Sequence, residues 1–424
     1  MRSPMTAPGP ILVRSSFSSR LIMSSSSGGG ARSCSDCTAR GSGCATNRRR
    51  RASPAARPES ACYARSSETS NARRGRAASR SMMIDMHAHI IPQHFPPAGT
   101  RPSAWTWPSM DHFEPGRARV MIEGKNYRTV HEGNWNVERR LRDMERHGVD
   151  AEVISPMPEL CAYWFTPEEA LDFCRYTNEA VVRMCEAAPG RFFGLGIVPL
   201  QDPALAAKEL ASVTALGLTG IELGSNVNGK SLGMPEFQAF FQEAERLSVP
   251  IFVHALRPTM MDRFPTESLF NPVGYPTDTC LTIASMIAGG TAETCPNLRI
   301  AFSHGGGTFP FLLPRYNHQW SGTWNEDSPL PGRGAAAAGA LPRSPAEYAR
   351  RFYYDTLLFD RRALRYLIDL IGASQIMVGT DYPYMPPEEP ADRTLRTLGL
   401  PETVHADITW NNCMRWLHGE MAKP

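Results

Sequence analysis

The 424-residue sequence predicts an α/β protein of the (β/α)8 barrel class, with a disordered N-terminal tail and a small hairpin inserted after the first strand. Three observations carry this. From Ile84 onward short apolar runs alternate with helical patterns, the runs number eight, and His or Asp residues stand at the ends of several of them. The runs are Ile84 to His89, Val149 to Ser155, Phe192 to Val198, Gly220 to Leu223, Pro250 to His254, Arg299 to His304, Arg351 to Asp355 and Gln375 to Thr380. Between them, Thr166 to Ala188 has Pro167 near its start and Pro189-Gly190 after its end, which are helix punctuation. Met234 to Leu247 reads as another helix, ending before Val249-Pro250. Eight strand and helix pairs fit a barrel with insertions. A doubly wound open sheet is the alternative, but no G-x-G-x-x-G follows the first run.

Two insertions interrupt the repeat. Residues 95 to 140 contain Arg119 to Val130, which alternates around Glu123-Gly124-Lys125-Asn126 like a hairpin. Residues 321 to 346 are rich in Pro, Gly and Ala and read as a loop. Arg139, Arg140 and Arg142 read as the solvent face of one helix.

Composition divides the chain at about residue 82. Fifteen Arg, no Lys and three acids give residues 1–82 a net charge of +12, and against the chain's +3 this leaves −9 for residues 83–424. The first part is rich in Ser, Arg, Ala and Gly and poor in large apolar side chains, so it cannot offset its ordering entropy. Cys34 and Cys37 have C-x-x-C spacing, but no His or second C-x-x-C completes a zinc set. The segment also has the composition of an organelle transit peptide or a basic arm, although it lacks the interleaved aromatics of a nucleic-acid binder. The preferred reading is a start at Met82 or Met83, because the ordered pattern begins abruptly at Ile84. The expected organisation is thus a tail over 1–82 and a barrel over 83–424, with no nucleic-acid partner. No apolar run approaches the roughly 20 residues of a membrane span. The body's Cys161, Cys174, Cys185, Cys280, Cys295 and Cys413 show no paired spacing, which suits a cytoplasmic location.

The chemistry concentrates at strand ends. In Asp85-Met86-His87-Ala88-His89, alternation puts His87 and His89 on one face, so two imidazoles can reach one cation. The fifth run ends in His254, the sixth in His304, and the eighth leads to Asp381. A barrel assembles its active site where these strands end. The glycines Gly305 to Gly307 lack the Lys and Ser/Thr of a phosphate loop, and close backbone approach to the site accounts for them better.

At this point residues 83–424 resemble the amidohydrolase superfamily, and within it the aminocarboxymuconate-semialdehyde decarboxylase branch. The resemblance rests on Ile84-Asp85-Met86-His87-Ala88-His89, Gly124-Lys125-Asn126-Tyr127-Arg128, Val198-Pro199-Leu200-Gln201-Asp202, His304-Gly305-Gly306-Gly307-Thr308-Phe309 continuing to Phe311-Leu312-Leu313-Pro314-Arg315, and Gly379-Thr380-Asp381-Tyr382-Pro383. It implies that His87, His89, His254 and Asp381 hold one divalent metal ion, zinc being usual in that branch. Binuclear members place a carboxylated Lys at the end of strand four, where this chain has Gly220-Ile221-Glu222-Leu223. Three imidazoles and a carboxylate leave an open coordination position, as catalysis requires. The resemblance makes His304 the general acid/base, a role that an imidazole's ordinary pKa suits. With Asp381 it forms the expected catalytic pair.

Arginine supplies the substrate class. Guanidinium groups bind carboxylates bidentately, so Arg128 and Arg315 near a metal imply a small anionic carboxylate substrate. By resemblance Arg128 contacts the substrate and Arg315 is supplied across a homodimer interface. Where decarboxylases of the branch commonly have Pro-Trp after the strand-five His, this chain reads His254-Ala255-Leu256-Arg257-Pro258, and Arg257 offers a further anion contact. The implied activity is metal-dependent, non-oxidative decarboxylation of an unsaturated or aromatic carboxylic acid. Hydrolysis or hydration of a related acid is the alternative.

Overall fold

The computed structural model describes residues 81–321 and 341–419. The tail up to residue 80 and the greater part of the expected 321–346 loop lie outside the described residues.

The eight expected runs are the eight strands of one parallel sheet: β1 Ile84–Ile90, β2 Ala151–Pro156, β3 Phe192–Gly196, β4 Gly220–Gly224, β5 Ile251–His254, β6 Ile300–Phe302, β7 Tyr353–Asp355 and β8 Ile376–Met377, paired in that order. The sheet closes where β8 meets β1. Met86 N–H donates to the Val378 carbonyl at 2.8 Å, Asp381 N–H to that of His87 at 2.8 Å, and His89 N–H to that of Tyr382 at 2.7 Å. Helices return the chain between strands: α1 Val137–His147, α2 Pro167–Ala187, α3 Pro203–Ala215, α4 Gln238–Arg246, α5 Tyr275–Ala288, α6 Phe309–Trp320, α7 Arg361–Ile371 and, after β8, α8 Asn412–His418.

Local chemistry sets the helix ends. Thr166 caps α2 through the backbone N–H of Glu169, whose carboxylate reaches back to the cap, and Pro167 occupies the first turn where no N–H is needed. The Asn136 side chain caps α1 by accepting the Arg139 backbone N–H, and Gly148 ends the helix in the left-handed region at φ 72°.

Two apolar layers hold the barrel. Inside it, Ile84, Met86, Val153, Leu195, Phe252 and Met377 pack onto Cys413 and Trp416 of α8, which plugs the lower end. The larger core lies between strands and helices and includes Phe173, Phe240, Ile251, Ile283 and Leu367. A bulge in β1 connects this packing to the site. Asp85 pairs with Glu152 and Ala88 with Ile154, so β1 holds one extra residue there. The extra residue reverses the alternation: Ile84 and Met86 fill the lower barrel, while His87 and His89 turn into it above.

The expected hairpin is a three-stranded antiparallel sheet, Ser109–Glu114, Arg117–Ile122 and Lys125–His131. Its second turn is Glu123-Gly124, both with positive φ, as a two-residue hairpin loop demands. The first of these strands is almost wholly exposed, so it has no apolar alternation by which to recognise it. No helix among the described residues is long and apolar enough to cross a membrane.

Candidate metal and catalytic site

His87, His89, His254, His304 and Asp381, drawn from four strand ends, meet above the barrel core. The three histidines of the expected ligand set are oriented alike. His87 Nδ1 is 2.7 Å from Asp355 Oδ2, His89 Nδ1 is 3.2 Å from the Pro156 carbonyl oxygen, and His254 Nδ1 is 2.8 Å from the Ala255 carbonyl oxygen. Carboxylates and carbonyls only accept, so each Nδ1 carries the proton and each Nε2 turns a lone pair inward. His87 Nε2 and His89 Nε2 are 3.1 Å apart, and Asp381 Oδ1 lies 3.6 and 3.3 Å from them. His254 Nε2 and Asp381 Oδ1 are buried without a hydrogen-bond partner among the described residues. Lone pairs and a carboxylate facing one another with no proton between them repel, and a cation at their centre removes the repulsion.

Burial favours the neutral imidazoles that such a cation needs. It pushes the His89 pKa down to about 4 against the pull of Asp381, and holds that of His254 well below the usual imidazole value, with the neighbouring histidines adding to the effect. For Asp381, burial works upward, but the imidazoles of His304, His89 and His87 beside it hold its carboxyl well below the ordinary range.

His304 differs from the other three. One donor atom each of His87, His254, His304 and Asp381 falls within 4.8 Å of the others, so His304 stands as near the centre as the expected ligands. Its Nε2 is 3.8 Å from Asp381 Oδ2, yet 17% of its side chain is exposed where those of His87 and His89 are fully enclosed. It lines a cavity of about 300 Å³ together with Tyr275, Leu358, Phe359, Asp381 and Met385. Burial alone would lower its pKa, but the nearby Asp381 and Asp355 carboxylates outweigh burial and raise it. A larger groove of about 890 Å³ runs along the inserted sheet past His112, Glu132 and Glu138 and contains none of the converging groups.

Asp355, at the end of β7, holds this arrangement and had no role in the sequence reading. It is fully buried and accepts from His87 Nδ1 and from the backbone N–H groups of His304 (2.9 Å), Gly305 (2.8 Å) and Leu357 (3.1 Å). Despite burial these contacts, that of His87 first among them, keep its pKa below the ordinary value. His304 and Asp381 both occupy the left-handed region, at φ 55° and 59°. That conformation costs a non-glycine residue about 1 kcal/mol or more, and it persists at sites where surrounding bonds hold it. Gly307 is forced by close approach, since a Cβ there would lie 2.1 Å from the Pro276 carbonyl oxygen.

Asp85 is structural. It accepts from the Thr380 and His87 N–H groups at 3.1 and 3.0 Å, and burial with the nearby Glu152 pushes its pKa up to about 8. Glu222, at the strand-four position, is fully buried, with Oε2 3.8 Å from His89 Nδ1. Burial, with the Glu159 and Asp381 charges, pushes its carboxyl well above the ordinary range.

The arginines separate. Arg128 reaches over the site from the inserted sheet, its Cζ 4.2 Å above the Tyr384 ring, which itself stacks on His89. Arg315 is exposed on α6 beside Phe311 and Leu312 and touches none of the converging groups of its own chain. Arg257 is exposed and lies over the Trp164 ring at 4.0 Å, in a smaller cavity with Asn226 and Asn228. Arg140 departs from the expected solvent face: it is completely buried, pairs with Glu152, and donates to the His89 and Gly133 carbonyls at 2.7 and 3.0 Å. Its charge is tolerated because burial comes with these partners.

A barrel closed around three imidazoles and a carboxylate at its strand ends defines a class, and the amidohydrolase family model matches residues 84–419. The chain belongs to the amidohydrolase family. It is 35% identical over 340 residues to a 2-amino-3-carboxymuconate-6-semialdehyde decarboxylase of Dictyostelium discoideum, covering 80% of this chain and 92% of that one. A gamma-resorcylate decarboxylase of Rhodococcus jostii (strain RHA1) is 29% identical over 262 residues, 58% of this chain and 76% of that one. Among solved structures, 5-carboxyvanillate decarboxylase from Sphingomonas paucimobilis superposes with a TM-score of 0.64 at 27% identity, covering 80% of this chain and 99% of that one.

Proposed function

We propose that the protein is a metal-dependent, non-oxidative decarboxylase of an unsaturated or aromatic carboxylic acid. The observation that carries this is the inward convergence of the His87, His89 and His254 Nε2 atoms on Asp381, with His304 facing the cavity beside them. The decarboxylases among its relatives support the reading. The donor set fits a single divalent cation: three neutral imidazoles whose outer nitrogens are held, and one carboxylate with an unpartnered oxygen. Zinc suits these ligands, as manganese does, and elemental analysis should find one equivalent per chain. When bound, the ion supplies positive charge for a substrate oxygen and for the charge that develops as CO₂ leaves.

The chain's own residues do the rest. Arg128, over the Tyr384 ring that stacks on His89, binds and orients the substrate carboxylate. Breaking the bond between the carboxyl carbon and its neighbour leaves the electron pair on that neighbour, which must gain a proton. His304, held by Asp355 through its backbone and beside Asp381 through its ring, is the group placed to deliver it. A screen of metal-loaded enzyme against carboxylated muconate semialdehydes and hydroxybenzoates tests the reading, and turnover of neither class would count against it.

The same reading includes a homodimer in a reducing, cytoplasmic setting. Arg315 shares α6 with Phe311, 79% exposed, and Leu312, 43% exposed, a surface suited to cover by a second copy that would receive the arginine in its site. Mixing Arg315→Ala with His304→Ala protein should then restore part of the activity through hybrid dimers. No recovery after confirmed subunit exchange would place Arg315 outside the partner's site. We also take residues 1–82 to be dispensable, since Met83 is 1% exposed and already bonded to Asp150 at 2.7 Å. A chain beginning at Met83 should keep the melting temperature and turnover of the full chain, and a loss of either would give the tail a role.

A further inference from the structure

Outside the converging groups, one buried carboxylate has no role so far. Asp278 stands in the first turn of α5, where the helix dipole favours a negative charge. It is buried, and the groups it accepts from are neutral. Oδ1 takes the Thr259 backbone N–H and hydroxyl at 3.2 and 3.1 Å, and Oδ2 takes the Ser225 hydroxyl and, at 2.8 Å, the Asn226 amide. Ser225 and Asn226 follow β4 and Thr259 lies beyond β5, so one carboxylate ties two strand ends to a helix.

Ser225 and Asn226 lead to His254. Ser225 Oγ, its proton given to Asp278, accepts the Leu256 N–H at 3.0 Å. That N–H and the Ala255 carbonyl belong to one planar peptide unit, so fixing the first on one side aims the second to the other. The Ala255 carbonyl is the oxygen that His254 Nδ1 meets at 2.8 Å, the contact that turns the Nε2 lone pair inward. Asn226 Nδ2 holds the next two carbonyls, that of Leu256 at 2.7 Å and that of Arg257 at 3.2 Å. The turn needs holding, because Arg257 sits at φ 37°, where a residue with a Cβ is disfavoured.

We propose that Asp278 is a positioning residue for the metal ligand His254, acting through Ser225 and Asn226 on the turn Ala255-Leu256-Arg257. An asparagine in its place could not keep these bonds. The Thr259 N–H on one side cannot turn round, and the Asn226 amide on the other is fixed by the Gly229 N–H, which its Oδ1 accepts at 2.9 Å. Either orientation of the new amide sets donor against donor. The turn then relaxes from its positive φ, the Ala255 carbonyl leaves His254, and Nδ1 no longer has to carry the proton. This deepens the decarboxylase reading and rests on it only for His254 as a ligand.

The test uses the full chain and does not depend on turnover. Zinc affinity, read by chelator competition, should fall roughly tenfold or more in Asp278→Asn, the range for an outer partner of a ligating histidine. Ser225→Ala, a milder change, should act in the same direction, since it removes the acceptor of the Leu256 N–H. Arg257→Gly added to either should recover most of that loss, because glycine takes a positive φ without the restraint. Wild-type affinity in Asp278→Asn, or in Ser225→Ala should Asp278→Asn not fold, overturns the proposal. So does a loss that Arg257→Gly leaves in place, for Asp278 would then be only a structural tie. The second readout is the His254 tautomer in metal-free protein, from imidazole nitrogen NMR with His254→Asn assigning its signals. The wild type should carry Nδ1–H and the variants a mixture with Nε2–H, and an unchanged tautomer overturns the proposal. Zinc that fails to bind the wild type would count instead against His254 as a ligand, and the tautomer would still decide the role of Asp278.

Discussion

Replacing His304 by alanine should lower kcat by about 10² to 10⁴ and leave metal content intact, the loss expected for a positioned acid or base. The reason lies in its position. His304 is the one histidine of the cluster that lines the cavity, and the two aspartates beside it favour its protonated form against burial. Arg128→Ala should fail differently, mainly through KM, because a guanidinium and carboxylate pair exists in ground and transition states alike. Kinetics on any turned-over acid, with metal analysis in parallel, separates the two. A His304→Ala enzyme with normal kcat would remove that histidine from the mechanism.

The second large effect should come from Asp355→Asn. Asp355 Oδ2 accepts from His87 Nδ1 and from the His304 backbone N–H, so an amide nitrogen at that position sets donor against donor. An oxygen turned there instead leaves the amide nitrogen facing the Gly305 and Leu357 N–H groups. One relief is for His87 to move its proton to Nε2, which then points N–H and not a lone pair at the centre of the cluster. Outer partners of ligating histidines are worth roughly 10- to 100-fold in metal affinity, and we expect a loss of at least that size. Chelator competition reads it directly, and the melting temperature should fall as well, because buried backbone donors lose an acceptor. Wild-type metal affinity in Asp355→Asn would show that the carboxylate does not set the His87 tautomer.

How much of this was legible in the sequence depends on the kind of interaction. Apolar runs announce buried strands, and all eight were placed, because each is too short and too enclosed to be anything else. Their ends were less so. β8 was expected to run through Thr380 but leaves the ladder after Met377, since Val378, Gly379 and Thr380 donate instead to Ile408, Thr356 and Asp85. Such partners are distant in the chain and leave no local pattern. Histidines at strand ends were readable for the same reason the strands were. Asp355 stood at a strand end too, and the rule that picked out His254 and His304 applied equally to it. Asp278, Tyr384 and Arg140 carry no such mark. A buried arginine on a helix with Arg139 and Arg142 looks like its exposed neighbours until the Glu152 and His89 carbonyl positions are known.

The central claim is that this site removes a carboxyl group from a small acid. It is tested most directly by following CO₂ and substrate together with metal-loaded enzyme and a substrate found in the screen. The account predicts one CO₂ released for each substrate consumed, with the rate lost in His304→Ala. Substrate consumed without CO₂, through addition of water or hydrolysis, would contradict it and make the same cluster that of a hydrolase or hydratase.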